Sequence, residues 1–274
     1  MYKVLALDLD GTVLTDQHTI HPAVKQAIAH VKQDCHVVIV TGRHHTAARL
    51  YHDELGLTTP IICCNGTYLY DYVTDCVLAH NAVDKQHASM FVRLAQKYQL
   101  KLVMYVTDTM VHSISNPVKY MIELEEFSKT LPKGKGPKIK QISTFEDVIA
   151  ATDFVWEFVV EGENNAIKQF LNEPFITTHF TLERSWLNRL SCYSKQNSKG
   201  KRVADYVESL GLHFSDVMAV GDNHNDISML KYAGLSVAMA NADDVVKQFA
   251  SIVCESDNNE GGLGHLIRNQ IRGQ

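Results

Sequence analysis

Several things are missing from this sequence, and each absence removes a class of protein. No Cys-x-x-Cys pair occurs: Cys63 and Cys64 are adjacent and the other four cysteines are scattered. Neither a disulfide framework nor a structural zinc site is expected from such spacing. No apolar run approaches the length that spans a bilayer, so no membrane partner is expected. There is no internal repeat and no low-complexity tract. No basic stripe stands out either. With 26 basic against 31 acidic residues the net charge is −5, which argues against a nucleic-acid partner. The first strand-like run begins at Tyr2, from which we expect no signal peptide and a reducing, cytoplasmic setting. What is present is ordinary globular material. The 274 residues are 45% hydrophobic and 21% charged, enough for one large or two modest domains.

The chain is organised around its start. Tyr2 to Leu9 form a short apolar run that delivers two carboxylates into Asp8-Leu9-Asp10-Gly11-Thr12. A short, β-rich run that stops at Gly predicts a buried strand. Alternation puts Leu5 and Leu7 on one face and Val4 and Ala6 on the other. Both faces are apolar, as in a parallel sheet covered on both sides. Asp8 and Asp10 then stand at the strand's carboxyl end, where open α/β sheets bind ligands. Two carboxylates this close repel each other and are costly to bury alone. An oxygen-seeking cation such as Mg²⁺ is the natural partner. The plainer alternative is a strand-to-turn signal, since Asp-Gly marks turns.

The periodicity predicts the rest of the architecture. A helix opened by Pro22 runs to about Gln33, a strand covers 35–40, a helix 44–54 and a strand 60–64. This βαβαβ alternation implies a parallel sheet. A hairpin follows (67–72 and 76–79), then a mixed region. Its expected parts are a helix at 84–98, strands at 100–106 and 110–115, a helix at 118–130 and a breaker-rich surface loop at 131–138. A strand at 154–160, a helix at 163–172 and strands near 175–182 and 187–193 complete it. Strict alternation resumes at Asn197 with a helix at 198–210, a strand at 217–220 and shorter elements to the end. The reading is α/β: a Rossmann-like, doubly wound parallel core formed by residues 1–82 and 188–274, with an α+β insert at 83–187.

Three further stretches carry chemistry. Gly221-Asp222-Asn223-His224-Asn225-Asp226 follows a predicted strand and crowds four Asp or Asn into six positions. One helix cap needs one such side chain, so metal coordination is the better reading. Thr41-Gly42-Arg43 offers a hydroxyl and backbone N–H groups at a strand-to-helix turn, a place for a phosphate oxygen. Lys199, Lys201 and Arg202 crowd the first turn of a helix, where cations oppose the helix dipole unless an anion is bound there. His44 and His45 are adjacent and point about 100° apart on a helix, so we read them as structural or supporting rather than as a metal pair.

Taken together and in this order, Asp-x-Asp-Gly-Thr, Thr-Gly-Arg, Ser-Lys-Gly and Gly-Asp-x-x-Asn-Asp resemble the haloacid dehalogenase superfamily of phosphohydrolases. The large insert between the second and third motifs resembles the C2 cap of its Cof-type subfamily. Longer strings, such as Ile-Val-Thr-Gly-Arg-His-His and Cys-Cys-Asn-Gly-Thr-Tyr-Leu-Tyr-Asp-Tyr, resemble the pyridoxal phosphate phosphatases of that subfamily. The resemblance implies a nucleophile at Asp8 and a general acid and base at Asp10. It implies Mg²⁺ held by Asp8, the Asp10 backbone carbonyl and Asp222. Phosphate would be cradled by Thr41, Gly42, Lys199, Asn225 and the Leu9 backbone N–H, with Arg43, Asn65 and Asp226 in support. The expected substrate is a small phosphate ester, pyridoxal 5′-phosphate ahead of sugar phosphates. A phosphomutase, or a catalytically silent phosphate-binding regulator, would use the same fold. An acid at Asp10 separates the silent binder from the enzyme.

Overall fold

A computed structural model describes residues 2–186 and 188–272, the side chains of Ser185, Trp186 and Arg272 excepted. The chain forms two compact units. The first comprises Met1–Gly42, Tyr51–Ala79 and Ser198–Gln274; the second comprises Arg43–Leu50 and His80–Asn197.

The first unit is built on a five-stranded parallel sheet. Val4–Leu7 lies between Val217–Gly221 and His36–Ile39, and Leu235–Ala238 and Ile252–Val253 extend the sheet beyond Val217–Gly221. All four residues of Val4–Leu7 are fully buried, as expected for a parallel strand covered on both faces. Val4 and Ala6 pack with Val203, Tyr206, Met229 and Leu230 from the helical side. The helix Pro22–Val31 starts with proline at its first position and with the His21 ring accepting from the Ala23 N–H. It packs against the last helix, Gly262–Arg272. Ile61–Cys63 belongs to a separate antiparallel sheet with Tyr68–Asp71 and Cys76–His80. Among the described residues no helix is long and apolar enough to cross a membrane.

The second unit is a six-stranded sheet, in the order Phe180–Trp186, Arg189–Ser194, Val155–Glu161, Lys101–Val106, Thr109–Ser113 and Ile139–Ile142. Only the last pair is parallel. One face carries a core in which Phe91 stacks on Phe158, with Phe170 and Phe180 against it. Val103, Met110, Met121 and Val159 form a smaller cluster.

Several expectations change here. The segment expected as a strand from 175 is the helix Pro174–His179, and pairing starts only at Phe180. Its β-branched composition favours a strand, but Pro174 sits in the first helical turn and Ile176 is fully buried, so tertiary packing overrides propensity. The strand Ile139–Ile142 and the helix Phe145–Ala151 had no clear periodic signal, being short. An insert ending at 187 would cut the hairpin between Phe180–Trp186 and Arg189–Ser194; the second unit instead runs from His80 to Asn197. Of the insert's aromatic residues, Trp156 and Phe158 are core. Tyr105, Tyr120 and Phe154 are half-buried and Phe127 is exposed. The Trp186 side chain lies outside the described residues.

One buried acid in this sheet sets a test. Glu157 pairs across the strands with Tyr105 and Tyr193 and is 1% exposed. Burial pushes its carboxyl up to about 8; a Ser191 hydrogen bond opposes the shift and the Glu183 charge adds to it. The folded state therefore keeps a proton that the unfolded chain releases above pH 4.5. The stability tied to this group is complete below pH 4.5 and is lost as pH rises to about 8. Over that interval, Glu157→Gln should gain roughly 4 kcal/mol on the wild type. Urea unfolding of both proteins across the range checks this, and a difference that does not vary with pH would refute it.

Candidate active site

The strand Val4–Leu7 runs straight into Asp8, and the parallel strand Val217–Gly221 beside it runs into Asp222. Parallel pairing brings both carboxylates to the same sheet edge, although they are far apart in sequence. The helix Lys199–Ser209 supplies the cation. Its cap is Ser198, whose Oγ accepts from the Lys201 N–H at 3.1 Å. Lys199 Nζ donates to Asp8 Oδ1 at 2.6 Å and to Asp226 Oδ1 at 2.7 Å, with all three side chains buried. Burial alone pulls the ammonium down, but Asp226 and Asp8 more than offset it, so it stays charged above its usual range. The same burial pushes the Asp8 carboxyl up against the pull of Lys199, with the charges of Asp226 and Asp222 adding to the rise.

Asp226 is saturated. Beyond Lys199, its Oδ2 accepts from the N–H groups of Asp222 at 2.9 Å and Asn223 at 3.0 Å. It thereby fixes the loop that carries Asp222. Asp222 in turn accepts from Thr12 Oγ1 at 2.9 Å. Gly11 adopts φ +77°, and a Cβ there would collide with the Asp222 carboxylate, so the Asp10-Gly11-Thr12 turn needs glycine to approach it. Oxygens of Asp8, Asp222 and Asp226 all lie within 4.8 Å of one another. With Asp226 already engaged, Asp8 and Asp222 are the two oxygen donors that fit a hard cation such as Mg²⁺. Burial and the Asp226 charge push Asp222 up to about 7, a repulsion that a divalent ion would relieve. The Asp10 side chain stands outside this cluster: it is 47% exposed and 3.8 Å from the His18 ring.

The phosphate-site candidates gather around a second pair of turns. Thr41 is buried; its N–H donates to the Ile62 carbonyl at 2.9 Å and its carbonyl accepts from the Asn65 N–H at 3.1 Å. Asn65 lies at φ 56°, buried, and its Oδ1 accepts from Asn225 Nδ2 at 3.0 Å. That oxygen stands 3.1 Å from where a Cβ on Gly42 would be. Leu9 has a fully buried side chain, and its carbonyl accepts from the N–H groups of Thr12 at 3.3 Å and Leu14 at 2.8 Å. Thr41, Gly42, Asn65, Asn225, Asp222, Asp226, Lys199, Asp8, Leu9 and Asp10 all belong to the first unit, whereas Arg43 falls in the second.

Two residues that matter here were not singled out as site residues. Thr12 had no role of its own, being the last letter of the motif. Arg202 read as part of a basic helix start, yet its guanidinium donates back to the carbonyls of Gly66 at 3.0 Å and Thr67 at 3.3 Å. That locks the Asn65 turn against the start of the Lys199 helix. Gly66, at φ +90°, lies so close to the Ser198 carbonyl that no side chain would fit. Periodicity alone could mark Arg202 for the buried side, one residue before buried Val203, but nothing in the sequence gives its partners.

Lys199 and Lys201 share a helix turn but not an environment. Lys201 is exposed. Lys199→Ala leaves two buried carboxylates without their cation and should lower stability by about 3–5 kcal/mol. Lys201→Ala should change it by less than about 0.5 kcal/mol. Urea denaturation in the presence of a chelator, which keeps any divalent ion from substituting for the ammonium, separates the two. Equal losses would contradict the buried ion triad.

Known proteins match this chain along almost its whole length. The family model of the haloacid dehalogenase-like hydrolases matches residues 5–267. The pyridoxal phosphate phosphatase YbhA of Escherichia coli K12 is 36% identical over 271 residues, covering 98% of each chain. The 5-amino-6-(5-phospho-D-ribitylamino)uracil phosphatase YcsE of Bacillus subtilis is 27% identical, covering 98% of this chain and 96% of its own. A crystal structure of a haloacid dehalogenase-like hydrolase from Bacteroides thetaiotaomicron superposes with a TM-score of 0.84 at 23% identity, covering 98% of this chain and all of that one. The match takes in both strand ends with their carboxylates, the lysine between them and the inserted sheet, and the chain belongs to the haloacid dehalogenase-like hydrolases, as a phosphatase of that family.

Proposed function

We propose that this phosphatase is Mg²⁺-dependent and hydrolyses pyridoxal 5′-phosphate through an aspartyl-phosphate on Asp8. The observation that carries the reaction is the Asp8 carboxylate, buried at a strand end and held at 2.6 Å by Lys199. A carboxylate fixed in this way has one oxygen oriented by the ammonium and the other open to attack phosphorus. In the first step an Asp8 oxygen bonds to phosphorus, the ester P–O bond breaks, and Asp10 gives its proton to the leaving alkoxide. In the second, Asp10 takes a proton from water, and the resulting hydroxide displaces the Asp8 carboxylate to release inorganic phosphate. Mg²⁺, bound by Asp8, Asp222 and the Asp10 backbone carbonyl, would supply the positive charge that lets a carboxylate approach an anionic phosphoryl group. Lys199, Thr41, Gly42, Asn225 and the Leu9 N–H hold the phosphate oxygens in this reading. Asn65 and Asp226 keep Asn225 and Lys199 in place. Arg43, which follows Gly42 in the chain, has a supporting role in this reading.

Substrate choice we assign to the second unit, since the groups around Asp8 address only the phosphoryl end. The 36% identity to YbhA over 98% of the chain supports pyridoxal 5′-phosphate. Similarity to a ribitylaminouracil phosphate phosphatase keeps polyol and sugar phosphates as the alternative. We place the activity in the cytoplasm, where such small phosphate esters are made and used.

Two measurements test this. Asp8→Asn removes the attacking oxygen and should lower kcat by at least three orders of magnitude, about 4 kcal/mol of barrier. Retained phosphate release by the purified variant would end the mechanism. In steady-state kinetics at saturating Mg²⁺, pyridoxal 5′-phosphate should have a higher kcat/KM than glucose 6-phosphate or fructose 1,6-bisphosphate. A tenfold preference for either sugar, about 1.4 kcal/mol, would transfer the assignment to sugar phosphates.

A further inference from the structure

The turn that carries Asp10 is held by an asparagine that lies outside all four motifs. Asp10, Gly11 and Thr12 leave the strand Val4–Leu7 as a turn. On one side, the Thr12 hydroxyl donates to Asp222 at 2.9 Å. Between Asp10 and Thr12 stands Gly11, at φ +77°, a backbone region that glycine adopts without strain. The freedom that lets Gly11 approach the Asp222 carboxylate also makes the peptide after it easy to rotate. The Gly11 carbonyl is fixed by Asn241, whose Nδ2 donates to it at 2.9 Å.

Asn241 reaches Gly11 from a firm base. It lies in the turn that follows the strand Leu235–Ala238. There the Met239 N–H donates to the Gly221 carbonyl at 3.1 Å and the Ala242 N–H donates to the Met239 carbonyl at 3.0 Å. Met239 and Ala242 are buried, whereas Asn241 is exposed. The short helix after the turn takes its cap from Asp243, whose Oδ1 accepts from the Val245 N–H at 2.8 Å, and so does not need Asn241. An asparagine in a turn ordinarily bonds backbone close to itself. This amide instead bonds a carbonyl 230 residues away. Asp10, Gly11, Thr12, Asp222 and Asn241 all belong to the first unit.

We propose that Asn241 is a positioning residue for the general acid. By holding the Gly11 carbonyl, it fixes the backbone from which the Asp10 side chain is aimed. That side chain is 47% exposed, so packing constrains it little and its direction follows from its backbone. An acid must stand within hydrogen-bond reach of the leaving oxygen, and a small misplacement is costly in rate. The proposal rests on the reading of Asp10 as the acid.

The test uses the full-length enzyme with Mg²⁺ and two esters, phenyl phosphate and p-nitrophenyl phosphate. They share the phosphoryl end, but phenoxide is the more basic leaving group and needs the proton more. The quantity read is kcat/KM, which ends at cleavage of the ester bond and excludes the later use of Asp10 as a base. Asn241→Leu keeps the size of the side chain and loses the donor. It should lower kcat/KM about tenfold for phenyl phosphate and no more than about twofold for p-nitrophenyl phosphate. Its Tm should stay within a few degrees, since one exposed hydrogen bond is a small part of the stability. In Asn241→His the ring Nδ1–H stands where the amide N–H does, and phenyl phosphate should recover to within about threefold of wild type. Asp10→Asn is the control and should show the same selective loss, only larger. If it slows both esters equally, Asp10 is not the acid and the proposal falls with that reading. If Asp10→Asn is selective while Asn241→Leu keeps the wild-type ratio of the two esters, the role of Asn241 alone is refuted. The same holds if Asn241→His is no better than Asn241→Leu, or if Asn241→Leu lowers Tm by about ten degrees or more, which would make the residue structural.

Discussion

The structure of the site depends on one buried ammonium. Lys199 Nζ sits between Asp8 and Asp226, and each of these three residues comes from a different part of the chain. Removing any one leaves an uncompensated charge in a place that water does not reach, which is far costlier than losing a surface ion pair. The consequence reaches past the triad. Asp226 also receives the N–H groups of Asp222 and Asn223, so the lysine that fixes Asp8 indirectly fixes the loop presenting Asp222. Arg202, one turn along the same helix, ties in the Gly66–Thr67 backbone and with it Asn65. A single helix start thus sets the position of the Asp8 carboxylate, the second acidic strand end and the asparagine turn.

Charge counting within this cluster is informative. Three ionised carboxylates against one ammonium leave an excess of two negative charges in a buried place. Burial first, and that excess after it, push both Asp8 and Asp222 upward. The excess is the charge a divalent cation would balance, and the donors present are all oxygen, which suits a hard ion. The cations at the helix start, unfavourable toward the helix dipole when considered alone, make sense here because the first of them faces carboxylates rather than solvent.

The second unit contributes a different kind of surface. Its sheet is mostly antiparallel, with an aromatic core on one face. It also carries a buried acid, Glu157, that is costly to retain at neutral pH. The division of the His45–Leu55 helix gives the two units a covalent connection that the inserted segment by itself would not provide.

The sequence by itself determined the parallel core and the identity of the chemical groups. Apolar runs ending in Asp8, Thr41 and Gly221 are short-range signals, and strand alternation makes both faces of such runs legible without knowing their neighbours. The same holds for Lys199, marked by its place at a capped helix start. What only the tertiary structure decided was partnership. That Thr12 would bond Asp222, that Arg202 would bond the Gly66 carbonyl, and that His44 would bond the Val106 carbonyl are contacts across many tens of residues, and no local pattern encodes them. The insert was the harder part for the same reason. In Pro174–His179 the β-branched composition pointed to a strand, and the burial of Ile176 with Pro174 at the first turn made it a helix. The hairpin closing at Arg189–Ser194 placed the boundary where pairing with Val155–Glu161 ends, which is settled by hydrogen bonds between distant strands rather than by composition along the chain.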